Sequence, residues 1–192
     1  KISFPNLSLP CSGINIPKKA SRLPNAPRSY RKGIHRGVDF FANWGTPIKA
    51  VADGVVIRAD TDFIEIKPEF RNVLLKSSKK INRTPSDVFD NILLGKTIIL
   101  DHGHNLVEGF RVISIYAHLS NINKNIKKGF KVKRGDIIGN SGNTGTSPST
   151  LNKKDEAHLH WELILQNQAG EFYLGQGLEY DELYTLLNDI FQ

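Results

Sequence analysis

The stretch "EAHLHWEL", residues 156–163, sets two histidines two apart inside an otherwise apolar run. Side chains on a strand alternate between faces, so His158 and His160 share one face while Leu159 and Trp161 take the other. The segment therefore reads as a strand with an apolar side for a core. Its opposite side carries two imidazoles with Cβ atoms about 7 Å apart, a span that a small ion or a polarised water bridges.

Working outward, short strand candidates alternate with glycine punctuation: "GVDFFA", "TPIKAVADGVVIRAD", "FIEIKP", "KTIILDHG", "FRVISIYAHLS", "KVKRGDIIGNSG" and "HLHWELILQ". That rhythm predicts a mainly β, antiparallel domain. Two helices are expected besides. "TPSDVFDNILLG" has Thr84 as N-cap, Pro85 at the first helical position and Gly95 as the stop. Near the C-terminus Leu183, Leu186, Leu187, Ile190 and Phe191 recur at helical spacing, which predicts a helix over about 179–191 that packs on the sheet. Residues 1–29 hold Pro5, Pro10, Pro17, Pro24 and Pro27, over half of the nine prolines, and are expected to form an extended arm before a domain over 30–192. The stretch from about Lys67 to Gly95 reads as an insertion, with "LKSSKKINR" (75–83) as its polar, mobile part.

A chain of 192 residues can bury a core without staples, and its single Cys11 excludes an intrachain disulfide framework. No apolar run approaches the length of a membrane span. Methionine is absent, as expected of a processed product whose targeting segment lay upstream. The net charge of +7 favours anionic surroundings such as a cell-wall polymer. Its densest basic run, "NKNIKKGFKVKRGD" (123–136), is interleaved with Ile126, Phe130 and Val132, as on the exposed face of a strand pair. With no recognition helix, zinc finger or RNA-binding signature beside it, nucleic acid is not an expected partner.

The second chemical motif is "GIHRGVDF", residues 33–40. On one extended strand His35 and Asp39 would lie about 13 Å apart at the backbone, too far to share an ion. Gly37 offers the remedy, a bend that returns both side chains to one point. Zinc accepts two imidazole nitrogens and one carboxylate oxygen and leaves a fourth position for water; His35, Asp39 and one histidine of "HLH" supply that set. His118, in "IYAHLS", ends an apolar strand. His102 and His104, in "ILDHGHN", are expected in a turn, as structural or pocket-rim residues.

"HRGVDF", "GTPIKAVADGVV", "IILDHG", "YAHLS", "VKRGDIIGNSGNTG" and "HLHWEL" occur in the order and character of a known family. Over residues 33–163, apart from the insertion, the chain resembles the lysostaphin-like (LytM-type) zinc metallopeptidases, which cut peptide cross-links of bacterial peptidoglycan. The resemblance implies one zinc ion per chain held by His35, Asp39 and His160, with His118 and His158 as the catalytic histidines. It also implies a tyrosine upstream that stabilises the transition state, for which Tyr30 is the nearby candidate. The turn "GNSGNTGTSPST" is read as a groove wall, with Asn143 and Thr144 as substrate-facing residues. The expected protein is a monomeric, periplasmic or secreted peptidoglycan hydrolase, with cell-wall peptides as substrate. Two rival readings exist. A catalytically silent or gated domain that binds the wall or activates another hydrolase would keep the fold. A lipoyl-type carrier barrel, suggested by "AVADGVV" and "VKRGDIIG", would leave the histidines unexplained.

Overall fold

A computed structural model describes residues 4 and 6–191. Its strands are β1 (Pro27–Arg28), β2 (Gly33–Ile34), β3 (Val38–Phe40), β4 (Pro47–Lys49), β5 (Gly54–Ala59), β6 (Ile98–Val107), β7 (Phe110–Ala117), β8 (Leu119–Ile122), β9 (Lys131–Val132), β10 (Ile137–Ser141), β11 (Leu159–Asn167) and β12 (Gly170–Tyr173). The main sheet runs β12-β11-β7-β6-β5-β9, with β3 joined to β11, and every pair in it is antiparallel. A second sheet, β4-β10-β8, is also antiparallel. The mainly β, antiparallel architecture follows from the apolar alternation and from tight turns such as the one at Gly109, whose φ of +80° links β6 to β7.

Both faces of the main sheet are covered. One faces the large core, where Phe40, Ile48, Val56, Leu100, Tyr116, Leu159 and Trp161 are buried together. The other carries Ile113, Ile115, Ala117 and Ile164, which pack under Leu94 and Phe89. Buried on both sides, β11 sits between β3 and β7 at its N-terminal end, where His160 faces Asp39 on one neighbour and Ala117 on the other. The register therefore places His118, one residue past Ala117, beside the same spot.

The connection between β5 and β6, residues 60–97, departs from the expectations. "FIEIKP" forms no strand. Residues 63–67 run without a pairing partner, and Ile64 is 84% exposed. The run lacks a second edge to pair with, and Glu65 is spent on side-chain bonds elsewhere. The polar stretch expected to be mobile instead lies largely within a helix, α1 (Pro68–Lys80). Pro68 suits the first turn because it has no N–H to leave unpaired, while Glu69 beside it and Lys79 and Lys80 in the last turn suit the helix dipole. Its lysines and serines mask that order in the sequence. The second expected helix is short and distorted: α2 (Ser86–Val88) continues as a π-turn over Phe89–Leu93. Thr84 does not cap it, because its hydroxyl donates to the Arg31 carbonyl at 2.6 Å. Leu93 and Leu94 are nonetheless buried, and Gly95 closes the turn at φ +66°.

Two further helices complete the chain, α3 (Ser147–Thr150) and α4 (Tyr180–Ile190). Leu183, Leu187 and Ile190 of α4 enter the main core. So do Leu7, Cys11 and Leu23 from the proline-rich segment, whose Leu7 bridges Phe191. Burial pushes the Cys11 thiol up to about 12. The basic run contributes only β9 as strand; Ile126 and Val132 are buried and its lysines stay exposed. Truncating Leu94 to Ala should destabilise the protein by about 2–5 kcal/mol, because it opens a cavity where the 85–95 segment meets the sheet. A urea-denaturation midpoint unchanged by this substitution would show that the segment is not anchored there.

Candidate active site

His35, Asp39 and His160 converge on one point. His35 Nε2 lies 2.9 Å from Asp39 Oδ1, His160 Nδ1 lies 2.8 Å from the same oxygen, and the two nitrogens are 3.0 Å apart. Gly37 makes this possible through the expected bend between β2 and β3. A Cβ at Gly37 would collide with the Trp161 carbonyl of β11.

The outward nitrogens fix the tautomers. His35 Nδ1 lies 2.7 Å from the Leu23 carbonyl, which can only accept, so that nitrogen carries the proton and Nε2 keeps a lone pair. His160 Nε2 lies 2.8 Å from Glu162 Oε1, and hydrogen bonding and the His160 and Arg36 charges hold that carboxyl low despite burial. With the proton on Nε2, His160 Nδ1 also presents a lone pair. Three acceptors then face one another in a buried space. Without a cation a proton must serve them, which is why His160 is raised to about 9 although burial opposes its charge. Burial likewise opposes the Asp39 charge, yet bonds from His160 and His35 hold its carboxyl well below the usual range. Two imidazole nitrogens and a carboxylate oxygen, each oriented by an outer partner, are a donor set that fits zinc. Arg28 steadies the second Asp39 oxygen at 3.1 Å, and Arg36 pairs with Glu162 Oε2 at 3.1 Å.

Beside this triad stand His118 and His158, their ring centres 4.7 Å apart, with His118 5.7 Å from the ring of His160. Each donates from Nδ1 to a backbone carbonyl at 2.7 Å, His118 to Thr144 and His158 to Glu156, which leaves both Nε2 atoms with lone pairs. His158 Nε2 is 3.9 Å from Asp39 Oδ1, and Phe41 stacks on its ring at 4.9 Å. His118 adopts φ +60°, an uncommon conformation for a histidine, as the chain turns from β7 into β8. Burial lowers the His158 value, and burial together with the neighbouring His158 and His160 holds His118 well below the ordinary imidazole range. Both are neutral near pH 7.

The five residues border a groove of about 380 Å³ whose further lining includes Arg28, Arg31, Arg71, Leu75 and Gly145–Pro148. Tyr30 borders it too, 48% exposed, with its hydroxyl beside Arg31 and Arg71. Asn143 and Thr144 do not face the groove. The Asn143 amide donates to the carbonyls of Lys153 and Asp155, and Thr144 is bonded to Lys96 and Leu119, so both hold the loop while the next four residues form the wall. His102 lies inside β6 rather than in a turn, bonded to the Asp53 carbonyl and Ser114 away from the groove, and His104 is exposed. Leu23, Arg28, Glu162 and Arg36 were not singled out by sequence reasoning. Only Glu162 carried a signal, as the third polar residue on the His158 and His160 face.

Residues 85–171 match the model of Peptidase family M23. The chain carries an M23 peptidase domain. The matched span contains His118, His158 and His160, while His35 and Asp39 precede it and reach the site through the β3–β11 pairing. Among similar proteins, the peptidoglycan DD-endopeptidase ShyA of Vibrio cholerae is 31% identical over 74% of this chain and 23% of its own length. The glycyl-glycine endopeptidase ALE-1 of Staphylococcus capitis is 30% identical over 79% of this chain and 30% of its own. The chain thus spans less than a third of the length of these relatives. The catalytic domain of lysostaphin from Staphylococcus simulans is 24% identical, covering 89% of this chain and 86% of that one, with a TM-score of 0.44.

The buried neutral imidazoles set a pH dependence in the metal-free protein. The folded values of His35, His102, His118 and His158 lie below the ordinary 6.5, so below that pH the unfolded chain binds protons that the folded chain refuses. Stability should therefore fall as pH drops below about 6.5, with the low Asp39 value adding to the loss under more acid conditions. The raised His160 acts in the opposite sense, its contribution fading as pH rises through about 9. A thermal-unfolding series from pH 8 to 5 that showed no acid-side loss would contradict this balance.

Proposed function

We propose that the protein is a zinc-dependent endopeptidase that hydrolyses cross-link or stem-peptide bonds of bacterial peptidoglycan, acting in the cell envelope, periplasmic or secreted. The observation that carries the reading is the convergence of four imidazoles and one carboxylate at a groove. Each imidazole has one nitrogen tied outward and the other free toward the centre. The endopeptidase names of the M23 relatives support the reaction class. Among the described residues no helix is long and apolar enough to cross a membrane. In this reading residues 30–192 form the peptidase domain, with 1–29 as an arm that supplies Leu23 and Arg28 to its support.

His35, Asp39 and His160 would hold the zinc ion, which supplies Lewis-acid polarisation at the reacting carbonyl and acidifies water. The rest falls to the chain. An extended peptide lies along the groove with backbone partners on the Gly145–Pro148 wall. A neutral His118 or His158 accepts a proton at Nε2 from the attacking water. Once protonated, that imidazole becomes a donor, able to bond the developing oxyanion or return the proton to the leaving amine. The Nδ1 bonds to Thr144 and Glu156 keep both rings aimed through this exchange.

Two predictions test the division of labour. His160→Ala should strip most zinc, measured by elemental analysis after dialysis, because two remaining ligands hold the ion poorly; full occupancy would overturn the ligand assignment. His118→Ala and His158→Ala should keep the zinc yet release fragments from purified peptidoglycan about 10²–10⁴-fold more slowly. A variant that digests at the native rate has no catalytic histidine at that position.

A further inference from the structure

Arg28, Arg31 and Arg71 border the groove, and among the described residues only Arg28 has a carboxylate partner. Arg28 is committed to Asp39 and to the Ser21 carbonyl. Arg31 is buried at 6% exposure, yet its bonds go to the Thr84 hydroxyl, the Ile34 carbonyl and the Tyr30 side chain, none of them a carboxylate, while its guanidinium lies over Phe89 at 4.8 Å. Arg36 lies 4.8 Å from the same ring and is answered by Glu162. Arg71, from α1, makes one long bond from Nε to the Gly145 carbonyl at 3.4 Å, and among the described residues its two terminal nitrogens form no bond. Among the described residues no carboxylate pairs with Arg31 or Arg71. Glu65, an acid whose charge reaches Arg71, is spent on the Gly145 amide and the Ser149 hydroxyl.

Desolvated cations without an anion are costly, and burial lowers the values of both guanidinium groups. A groove that holds two such groups beside its reacting centre is built to receive a negative charge. We infer that this end of the groove binds a free carboxylate of the peptide substrate, with Arg71 as the direct contact and Arg31 and the Tyr30 hydroxyl behind it. The inference rests on the peptidase reading above and deepens it. A planar guanidinium with both terminal nitrogens free matches a carboxylate in the bidentate manner, and a point-charge lysine would reproduce only part of that match. In this arrangement the Tyr30 hydroxyl contributes to substrate recognition from behind the guanidinium pair. The carboxylate can come from the peptide's C-terminus or from an acidic side chain.

The test measures binding, so that it stands apart from turnover. Zinc-loaded His118→Ala protein is titrated with a synthetic Ala–Glu–Lys–Ala peptide in three forms: both carboxylates free, the C-terminus amidated, or the glutamate side chain amidated. The free form should bind about 10- to 100-fold more tightly than one of the amidated forms, and the form that loses affinity identifies the source. Adding Arg71→Gln should erase the gap by weakening the free form, and Arg71→Lys should restore part of it, with thermal unfolding and zinc content unchanged in both. Equal binding of the three forms, or a gap that survives Arg71→Gln, overturns the inference. A native protein that digests no peptidoglycan overturns the peptidase reading instead, and leaves the binding comparison to decide the subsite independently.

Discussion

The pairing of β11 with β3 on one side and β7 on the other is the constraint from which the site follows. Strand side chains alternate, and a slip of one residue would turn His158, His160 and Glu162 into the core and push Leu159, Trp161 and Leu163 out. The apolar face of β11 therefore enforces the position of its polar face. With the register fixed, Asp39 stands across from His160 on β3 and His118 follows Ala117 on β7. The large core and the donor set are two consequences of one alignment.

Around that alignment lies a second layer that decides what the imidazoles can do. A histidine ring offers two nitrogens, and a free ring chooses its tautomer by solvent. Here Leu23, Thr144, Glu156 and Glu162 make the choice in advance. Three of these partners are backbone carbonyls, whose positions depend on the fold and not on side-chain identity. Burial then keeps His118 and His158 uncharged, while Asp39 and Glu162 keep His160 associated with positive charge, whether from a proton or a cation. One electrostatic field thus separates the proton-accepting pair from the cation-holding set.

Much of this was legible in the chain. Period-two apolarity marks β6, β7 and β11, the two-residue spacing of His158 and His160 marks a shared face, and Gly37 marks the bend that unites His35 with Asp39. The parts that escaped reading have physical reasons. Helix α1 hides because Lys76, Ser77, Ser78, Lys79 and Lys80 resemble a solvated loop, and its stability comes from docking and from charges at its ends. Phe63 to Lys67 has the composition of a strand but no neighbouring edge to join. Carbonyl partners such as Leu23 carry no sequence signature at all, because any residue type presents the same oxygen. Asn143 and Thr144 have the right chemistry for a groove, and the loop itself consumes it.

The connection between β5 and β6 is fastened on both sides of the groove. Glu65 binds Gly145 and Ser149 on one rim, Thr84 exchanges hydrogen bonds with Arg31 on the other, and α1 lies between with Arg71 and Leu75 turned into the groove. A strap tied at two ends acts as a gauge. Its contour length sets the bore of the channel beneath it, so adding or removing a helical turn of about 5.4 Å in α1 would re-size the passage without touching a single histidine. In such an architecture the admissible thickness of a polymer strand is written in the length of a loop, and the chemistry is written elsewhere.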